Sequence, residues 1–361
     1  MKKPPATTIP FGVDSPGKIL LVKPSSLGDI VHALPVVSEL RRHFGASRIS
    51  WLVNTSLMDM ARASPYVDEI IPFDRDSWRG FLSLLVNGMG FFGLCARLRA
   101  ERYDLVLDLQ GLFRSAFLSR VSNAPVRVGF FNARELGYIF YNARVRLGSN
   151  KLHAVDRYLF TLRRIGIEPG KPDFAMKVDA SAMQRVEDLL GRAHWDRAGP
   201  LVVASPFTRW PTKDWPAEYY AKVLGEIRRR WGARIVITAS VAQAGRAEKL
   251  AGEVGGGALN FAGKITLAQM IALLSRAKLL LTGDSGPMHV ADALGTPLVA
   301  FFGPTDPGRT GPYLQRDAVL QAAVPCVPCF SRKCPRELEC MRSITPEMAL
   351  EKIEAKLEKG A

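Results

Sequence analysis

Long apolar runs are missing from this sequence of 361 residues. No stretch reaches the roughly 18 consecutive apolar residues of a membrane-spanning helix. The nearest candidate, residues 81–96 (FLSLLVNGMGFFGLCA), contains Asn87 and lies between Arg79 and Arg97. It predicts either a buried helix or a segment that lies in a membrane surface. Residues 1–17 lack the apolar core of a signal peptide and predict a disordered tail, so we expect a cytoplasmic protein, at the inner face of the inner membrane.

Acidic residues are also scarce, with 34 Asp and Glu against 49 Lys and Arg, a formal net charge of +15. Such a surplus indicates an anionic partner, which could be nucleic acid, an acidic membrane surface or a phosphorylated substrate. A solvated basic surface is the simpler alternative. The stretch from Arg97 to Arg164 holds 13 Lys and Arg against 5 Asp and Glu, over half of the surplus. No recognisable nucleic-acid-binding motif accompanies it, so we expect no nucleic-acid partner.

Strand and helix patterns alternate along both halves of the chain. Short apolar runs that end at loops predict buried parallel strands at residues 18–24, 49–54, 68–74, 104–111, 200–206, 233–240, 277–284 and 297–304. Repeated strand–loop–helix units predict an α/β protein with two Rossmann-like domains whose parallel sheets face across a cleft. We place the first domain at 18–180, the second at 181–345, and a C-terminal helix at 346–361 that could pack back on the first domain. Ligands of such sheets bind beyond the carboxyl ends of the strands.

The first motif with chemical content is KPSSLGDIVHALP, residues 23–35, where a strand gives way to a helix. Asp29 stands at the start of that helix, where it could cap the helix or project as a base that takes a proton from a hydroxyl. Gly28 permits a tight turn or the close approach of a ligand. His32, one turn later, could face the same way or serve the core.

The second motif is SPFTRWPTKDWP, residues 205–216, in a loop that follows a strand. Thr208, Arg209 and Lys213 supply hydroxyl and cationic donors that suit a diphosphate. The alternative is a surface loop with two packing tryptophans.

The third motif is LLLTGDSGPMHVADALGTPLVAFFGPTDP, residues 279–307. Pro287 stands where a helix over about 287–294 should begin, and free N–H groups at such an end bind phosphate. Ser285, Gly286 and His289 belong to the same turn. Asp284 would repel phosphate, so it is better suited to sugar hydroxyls.

Four of the five cysteines form a C-x2-C-x4-C-x5-C cluster made of Cys326, Cys329, Cys334 and Cys340. In a reducing compartment such a cluster predicts a structural zinc site. Reduced, unligated thiols and an inducible disulfide are the alternatives. No partner base is evident, so thiol catalysis is not expected.

The first three motifs together resemble glycosyltransferase family 9, the ADP-heptose:lipopolysaccharide heptosyltransferases, from about Lys18 to the C-terminus. Residues 104–116 (DLVLDLQGLFRSA), 133–135 and 153–159 (HAVDRYL) are most similar to the branch that adds the first heptose. The cysteine segment is similar to sequences of the second-heptose branch, so that branch is the alternative.

This resemblance implies a GT-B fold and an inverting transfer from ADP-L-glycero-β-D-manno-heptose to Kdo2-lipid A, in peripheral contact with the inner membrane and without a required metal ion. It places the catalytic aspartate on Asp29. The donor positions that it implies fall on Thr208, Arg209, Lys213, Asp284, Ser285, Gly286 and His289. The acceptor positions fall on Ser26, Gly28, Arg134 and Arg157. A GT-B sugar-nucleotide epimerase and a non-catalytic binding module are the other function classes left open.

Overall fold

The computed structural model describes residues 15–74, 81–149, 151–192 and 199–358, without the side chains of residues 81–89. The chain divides into two compact units, Met1–Lys177 and Val178–Ala361. Each unit holds one sheet of six parallel strands with helices between them. None of the described helices combines the length and hydropathy that a bilayer crossing requires.

The strands of the first unit follow the order β3-β2-β1-β4-β5-β6. Their bounds are β1 Lys18–Val22, β2 Arg48–Asn54, β3 Glu69–Phe73, β4 Leu105–Asp108, β5 Val126–Phe130 and β6 Ala143–Val145. Central strands β1 and β4 are apolar throughout their middles and buried, as expected for strands covered on both faces. The strand order reverses between β1 and β4, so the loops after these two strands lie where ligands of doubly wound sheets bind.

In the described part of the first unit there are five α-helices: α1 Leu27–His43, α2 Met58–Arg62, α3 Phe81–Ala100, α4 Phe113–Val121 and α5 Ala154–Leu159. The helix expected over residues 81–96 is α3. Among its described side chains Leu98 is buried, whereas Phe92 is exposed. The described half of this helix is therefore partly exposed and not a fully buried core helix.

The second unit repeats the same topology, with the order β12-β11-β10-β7-β8-β9. Its strands are β7 Leu201–Ser205, β8 Arg234–Ile237, β9 Leu259–Asn260, β10 Leu279–Gly283, β11 Leu298–Phe302 and β12 Val319–Gln321. Its order reverses between β7 and β10. The second and third motifs follow these two strands directly, so both lie at the switch point of this sheet.

Among its described residues the second unit has eight α-helices: α6 Ala180–Arg192, α7 Ala217–Trp231, α8 Ala244–Val254, α9 Leu267–Arg276, α10 Gly286–Leu294, α11 Pro307–Thr310, α12 Glu339–Arg342 and α13 Pro346–Glu358. The C-terminal helix α13 packs on α7 and β11, and its Ala349 and Ile353 are buried in the core of the second unit. Packing of this helix on the first domain stays a prediction.

Candidate functional site

Asp29 lies in the first turn of α1, at the carboxyl end of β1. Ser26, in extended backbone geometry, is the N-cap of this helix, and Asp29 is its third residue. The Asp29 carboxylate accepts hydrogen bonds from the Ser26 backbone N–H and hydroxyl, both at 2.8 Å. The expectation that Asp29 itself could be the N-cap is therefore wrong. Asp29 instead closes a capping box around Ser26.

The other oxygen of the Asp29 carboxylate faces two buried side chains. The Tyr158 hydroxyl donates to Oδ1 at 2.7 Å, and the Lys23 ammonium lies 3.5 Å from the same oxygen. Lys23 Nζ also lies 5.1 Å from the centre of the Tyr158 ring. Asp29 is thus held from both sides, although about a third of its side chain is still exposed.

Opposing effects set the charge of this cluster. Burial tends to raise the pKa of Asp29, but the Lys23 ammonium and the hydrogen bonds from Ser26 and Tyr158 outweigh it, so the pKa lies well below its usual range. Burial lowers the pKa of Lys23, against the attraction of Asp29 and Asp108. Burial raises the pKa of Tyr158, and the neighbouring Asp29 carboxylate raises it further. Asp29 is therefore an ionised carboxylate, and Tyr158 is a neutral donor.

A cavity of about 370 Å³ opens beside the loop that precedes α1. Its polar lining includes Ser25, Gln110, Arg114 and Glu135, and its apolar lining includes Leu112. These residues come from the loop after β1, from the loop after β4 and the first turn of α4, and from the segment after β5. The sequence analysis assigned no role to Arg114, which lies inside the quoted segment 104–116 and is exposed.

The remaining acceptor positions fall in different surroundings. Arg157 is half-buried on α5, with its Cζ 5.7 Å from the centre of the Phe130 ring, and it acts electrostatically on Lys23. Arg134 is exposed and is anchored through its backbone N–H, which donates to Gly111 O at 2.9 Å. The structure therefore brings Arg157 to the Asp29 cluster and leaves Arg134 on the surface.

Gly28 and His32 also differ from the simplest expectation. Gly28 is the second residue of α1, so the tight turn considered there does not form, whereas the close approach of a ligand stays a prediction. His32 is buried and packs edge-on against the His153 ring at 5.2 Å between ring centres. His32 therefore lies on the buried face of α1.

In the second unit, the loop after β7 is closed by its own side chains. The Thr208 backbone N–H donates to Asp214 Oδ1 at 2.7 Å, and the Thr208 hydroxyl donates to Trp210 O at 2.7 Å. Arg209 is exposed. Arg246 donates to the other Asp214 oxygen at 3.1 Å. Burial raises the pKa of Asp214, while these hydrogen bonds oppose the rise. Asp214 thus organises the loop, a role that the sequence analysis missed although TKDWP contains it.

Lys213 and Asp284 meet at the switch point of this sheet. The Lys213 ammonium donates to Asp284 Oδ2 at 2.7 Å and to the Asp284 backbone oxygen at 3.4 Å. It also lies 4.6 Å from the centre of the Trp210 ring. Gly283 lies against this loop, because a Cβ there would come within 2.9 Å of Lys213 O. The structure therefore joins the second and third motifs into one site.

The helix predicted at about 287–294, within the third motif, is α10, which begins at Gly286 with Ser285 as its N-cap and Pro287 in its first turn. The Ser285 and Thr282 hydroxyls are 3.0 Å apart. His289 is buried one turn into the helix. Backbone N–H groups of the first turn lie directly after Asp284, so a phosphate near Lys213 would also meet the N-terminus of α10.

The four cysteines of the cluster all line one cavity of about 180 Å³ in the second unit. Burial raises the pKa of Cys340, and the other three thiols act on it in the same direction. Within the described ranges no three His, Cys, Asp or Glu side chains are arranged to ligate a metal ion. The structural zinc stays a prediction.

This cysteine segment contacts the loop after β7. The Thr212 hydroxyl donates to Ser331 O at 2.9 Å, and Arg332 Cζ lies 4.5 Å from the centre of the Trp210 ring. The Trp210 ring is therefore contacted by two cations, those of Lys213 and Arg332. No sequence pattern predicts this contact between the cysteine segment and the loop after β7.

Comparisons with known proteins agree with this architecture. The family "Glycosyltransferase family 9 (heptosyltransferase)" matches residues 92–339. Lipopolysaccharide heptosyltransferase 1 of Pseudomonas aeruginosa is 32% identical over 325 residues, 88% of this chain and 87% of that protein. The structure of Escherichia coli heptosyltransferase WaaC with ADP superposes with a TM-score of 0.77 at 26% identity, covering 94% of this chain and 99% of that one. A family 9 glycosyltransferase from Veillonella parvula gives a TM-score of 0.82 at 22% identity, covering 95% and 97%.

Two Rossmann-like units of this topology, shared with the heptosyltransferase structures, define a glycosyltransferase of the GT-B class, as the sequence predicted. The family match and the Pseudomonas relative go one step further. The chain belongs to glycosyltransferase family 9, the heptosyltransferases.

Proposed function

We propose that this protein transfers a heptose from ADP-L-glycero-β-D-manno-heptose to Kdo2-lipid A, in the synthesis of the lipopolysaccharide inner core. The observation that carries the proposal is the pair of charged sites at the two switch points. The first unit holds an ionised carboxylate at Asp29, and the second holds an ammonium at Lys213 beside the start of α10. These are the charges that an acceptor hydroxyl and a leaving diphosphate require.

In the proposed reaction a Kdo hydroxyl hydrogen-bonds to Asp29. Its oxygen attacks the anomeric carbon of the heptose, the bond from that carbon to the β-phosphate oxygen breaks, and ADP leaves with the electron pair. The proton passes to Asp29, and the anomeric configuration inverts. Asp29 is a weak base, but the transition state has oxocarbenium character, and the attacking hydroxyl becomes acidic as the new bond forms. A weak base therefore suffices if proton transfer is late.

Donor binding would use the second unit. Lys213 and the α10 N-terminus would meet the diphosphate, and Asp284 would accept hydrogen bonds from heptose hydroxyls. Thr208, Arg209, Ser285, Gly286 and His289 would supply the remaining donor contacts. Because Lys213 and the helix N-terminus can neutralise the leaving group, we propose that transfer requires no metal ion. Turnover that survives exhaustive chelation is the expected result, and its loss would refute this point.

Acceptor binding would use the first unit. Ser26 and Gly28 border Asp29, Arg157 lies beside Lys23, and Arg134 precedes Glu135 of the cavity lining. Arg114, which lines the same cavity, adds a further cation for acceptor phosphates or carboxylates. The acceptor is a glycolipid, so we propose that the protein works in peripheral contact with the cytoplasmic face of the inner membrane.

The test is incubation with ADP-heptose and either Kdo2-lipid A or its heptosylated product, followed by mass analysis of the lipid. We expect Kdo2-lipid A to gain one heptose. A gain on the heptosylated product alone would indicate the second-heptose enzyme. Conversion of ADP-heptose without any acceptor would indicate an epimerase, and ADP-heptose binding without turnover would indicate a binding module.

A further inference from the structure

Exposed apolar side chains are concentrated in one part of the first unit. Among the described residues nine large hydrophobic side chains are exposed. Five of them belong to the first unit and fall between residues 92 and 139: Phe92, Phe113, Phe131, Leu136 and Ile139. Phe92, Leu136 and Ile139 are each more than half exposed, at 67%, 62% and 53%. Burial in the fold therefore does not account for these side chains.

Ring contacts join most of this region into one surface. Phe92 contacts Phe91, Phe91 stacks on Phe117, and Phe117 contacts both Phe113 and Phe140, with ring centres 5.3–6.4 Å apart along the series. Phe140 ends a single 3-10 turn, Gly137–Phe140, whose Tyr138 stacks on Phe131 at 6.4 Å. Ile139 belongs to the same turn, and Leu136 directly precedes it. We call these nine side chains, those of Phe91, Phe92, Phe113, Phe117, Phe131, Leu136, Tyr138, Ile139 and Phe140, the aromatic surface.

Arginines accompany the aromatic surface. Arg146 Cζ lies 3.8 Å from the centre of the Phe131 ring, and Arg144 Cζ lies 5.5 Å from that of Tyr138. Both arginines are exposed, and in the part of the chain that the structure describes neither forms an ion pair. Between Asp108 and Asp156 the sequence has seven Lys and Arg and a single acidic residue, Glu135. The surface is therefore both apolar and strongly cationic.

The aromatic surface borders the cavity that Ser25, Gln110, Arg114 and Glu135 line. Phe113 is followed directly by Arg114, and Leu136 follows Glu135, and both of these charged residues line the cavity. The Phe113 backbone N–H also donates to the Glu135 carboxylate at 3.3 Å. A molecule held by the aromatic surface would thus have its polar part at the cavity.

We propose that the aromatic surface docks on an anionic lipid bilayer and presents the cavity to the head of a glycolipid. Exposed Phe, Leu and Ile insert at the boundary between headgroups and acyl chains, while Arg144 and Arg146 meet lipid phosphates. The occupant is a bilayer because exposed apolar side chains next to exposed arginines match the acyl and phosphate layers of an anionic membrane surface. The inference deepens the proposed function, on which its glycolipid rests, but docking itself requires no acceptor.

The test is sedimentation of the full chain with vesicles that contain no acceptor. One vesicle set holds equal parts of phosphatidylglycerol and phosphatidylcholine, and the other holds phosphatidylcholine alone. We expect preferential binding to the anionic set. The triple variant F92S/L136S/I139S should bind roughly ten-fold more weakly, because its apolar anchors are lost. The matched control, V241S/L314S/M348S, removes three exposed apolar side chains from the second unit and should bind as the parent protein does.

A second variant tests the charge separately. Replacement of Arg144 and Arg146 by Gln should lower binding to the anionic vesicles by roughly five-fold for each arginine and leave binding to neutral vesicles unchanged. Thermal unfolding of each variant verifies that the fold is intact. The proposal is overturned if the parent protein binds neither vesicle set, or if the aromatic-surface triple variant and the control bind equally.

Activity with a deacylated, water-soluble acceptor separates this proposal from the proposed function. The aromatic-surface variant should keep parental turnover of that acceptor, because none of its three altered residues contacts Asp29. Vesicle binding without turnover of any acceptor would leave the docking surface standing and refute the transferase assignment. Turnover of the soluble acceptor without vesicle binding would support the transferase assignment and refute the docking surface.

Discussion

Each unit carries a lysine–aspartate ion pair at the switch point of its sheet, and the two pairs are built in opposite senses. In the first unit Lys23 is buried, with 4% of its side chain exposed, and Asp29 is 34% exposed. In the second unit Asp284 is buried at 7%, and Lys213 is the more exposed partner at 17%. The topology of the two sheets is the same. The two units differ in which partner of the pair is the more exposed: the Asp29 carboxylate in the first unit and the Lys213 ammonium in the second.

The buried side chain of each pair fixes a property of the exposed one, which is the charge of Asp29 in the first unit and the position of Lys213 in the second. Lys23 keeps Asp29 ionised in spite of burial, so the first unit offers a carboxylate. Asp284 holds the Lys213 ammonium at 2.7 Å, so the second unit offers a positioned cation. A hydroxyl acceptor requires the first arrangement, and a diphosphate leaving group requires the second. In the proposed function the same fold would thus serve two chemical tasks, because the exposed partner of the lysine–aspartate pair differs between the two units.

Removal of the exposed carboxylate should have the largest effect. We expect D29N to lower kcat by roughly 10²–10⁴ while ADP binding stays near the parental value, because the amide cannot accept the proton. Steady-state kinetics and calorimetric titration with ADP measure the two quantities. D173N, which removes a carboxylate bonded to Ser38 and Tyr66 elsewhere in the first unit, is the control. Parental turnover in D29N would show that Asp29 is not the base.

Removal of the exposed cation should come next. K213M should lower kcat by roughly 10²–10³ and raise the donor KM, because the leaving diphosphate loses a charged donor and Asp284 loses its partner. The acceptor KM should change little. K222M, which breaks a surface pair between Lys222 of α7 and Glu347 of α13, serves as the matched control. Unaltered kcat and donor KM in K213M would remove Lys213 from the donor site.

The buried partner of the first pair can be tested through pH. In the parental protein the pKa of Asp29 lies below its usual range, so the acid limb of kcat/KM due to Asp29 should lie below about pH 4. K23M removes the main attraction and leaves burial, so the pKa of Asp29 should rise and the acid limb should move to higher pH. K18M, which breaks the Lys18–Glu101 pair, should not move it. An identical pH profile in K23M would contradict the described coupling.

Acceptor cations should have a smaller effect that is confined to one substrate. R134Q and R157Q should each raise the acceptor KM by roughly ten-fold, with the donor KM unchanged, since each removes a charged hydrogen-bond donor. R157Q should have the larger effect, because Arg157 lies beside the Asp29 cluster and Arg134 is fully on the surface. R163Q, which breaks an exposed pair with Glu168, is the control. A rise in the donor KM instead would place the acceptor elsewhere.

All eight strands predicted from the sequence are present, with bounds that differ by at most three residues. Buried parallel strands are continuous apolar runs, so the pattern identifies them well. The strands without a prediction are β5, where Arg127 interrupts the apolar run, and the two- or three-residue strands β6, β9 and β12. Short edge strands carry too few residues for any pattern to identify them.

The positions of the site motifs were predictable, but their partners were not. Strand-end loops placed Asp29, Lys213 and Asp284 from local pattern alone. The contact between Asp29 and Tyr158 joins residues 129 positions apart, and that between Lys213 and Asp284 joins residues 71 apart. Local periodicity holds no information on such pairing. The ionisation state of Asp29, which depends on Lys23 and Tyr158, therefore required the structure.

The smallest expected effect concerns the cysteine segment, which supports the cation-bearing loop of the second unit through Thr212 and Trp210. Replacement of Cys326, Cys329, Cys334 and Cys340 by Ser should raise the donor KM a few-fold and leave the acceptor KM unchanged, because this segment contacts the donor loop of the second unit. C95S in α3 of the first unit is the control. Zinc analysis of protein purified under reducing conditions tests the predicted metal directly. One zinc per chain, lost in the fourfold variant, would establish a structural site, and no zinc with an unchanged donor KM would remove both the metal and the supporting role.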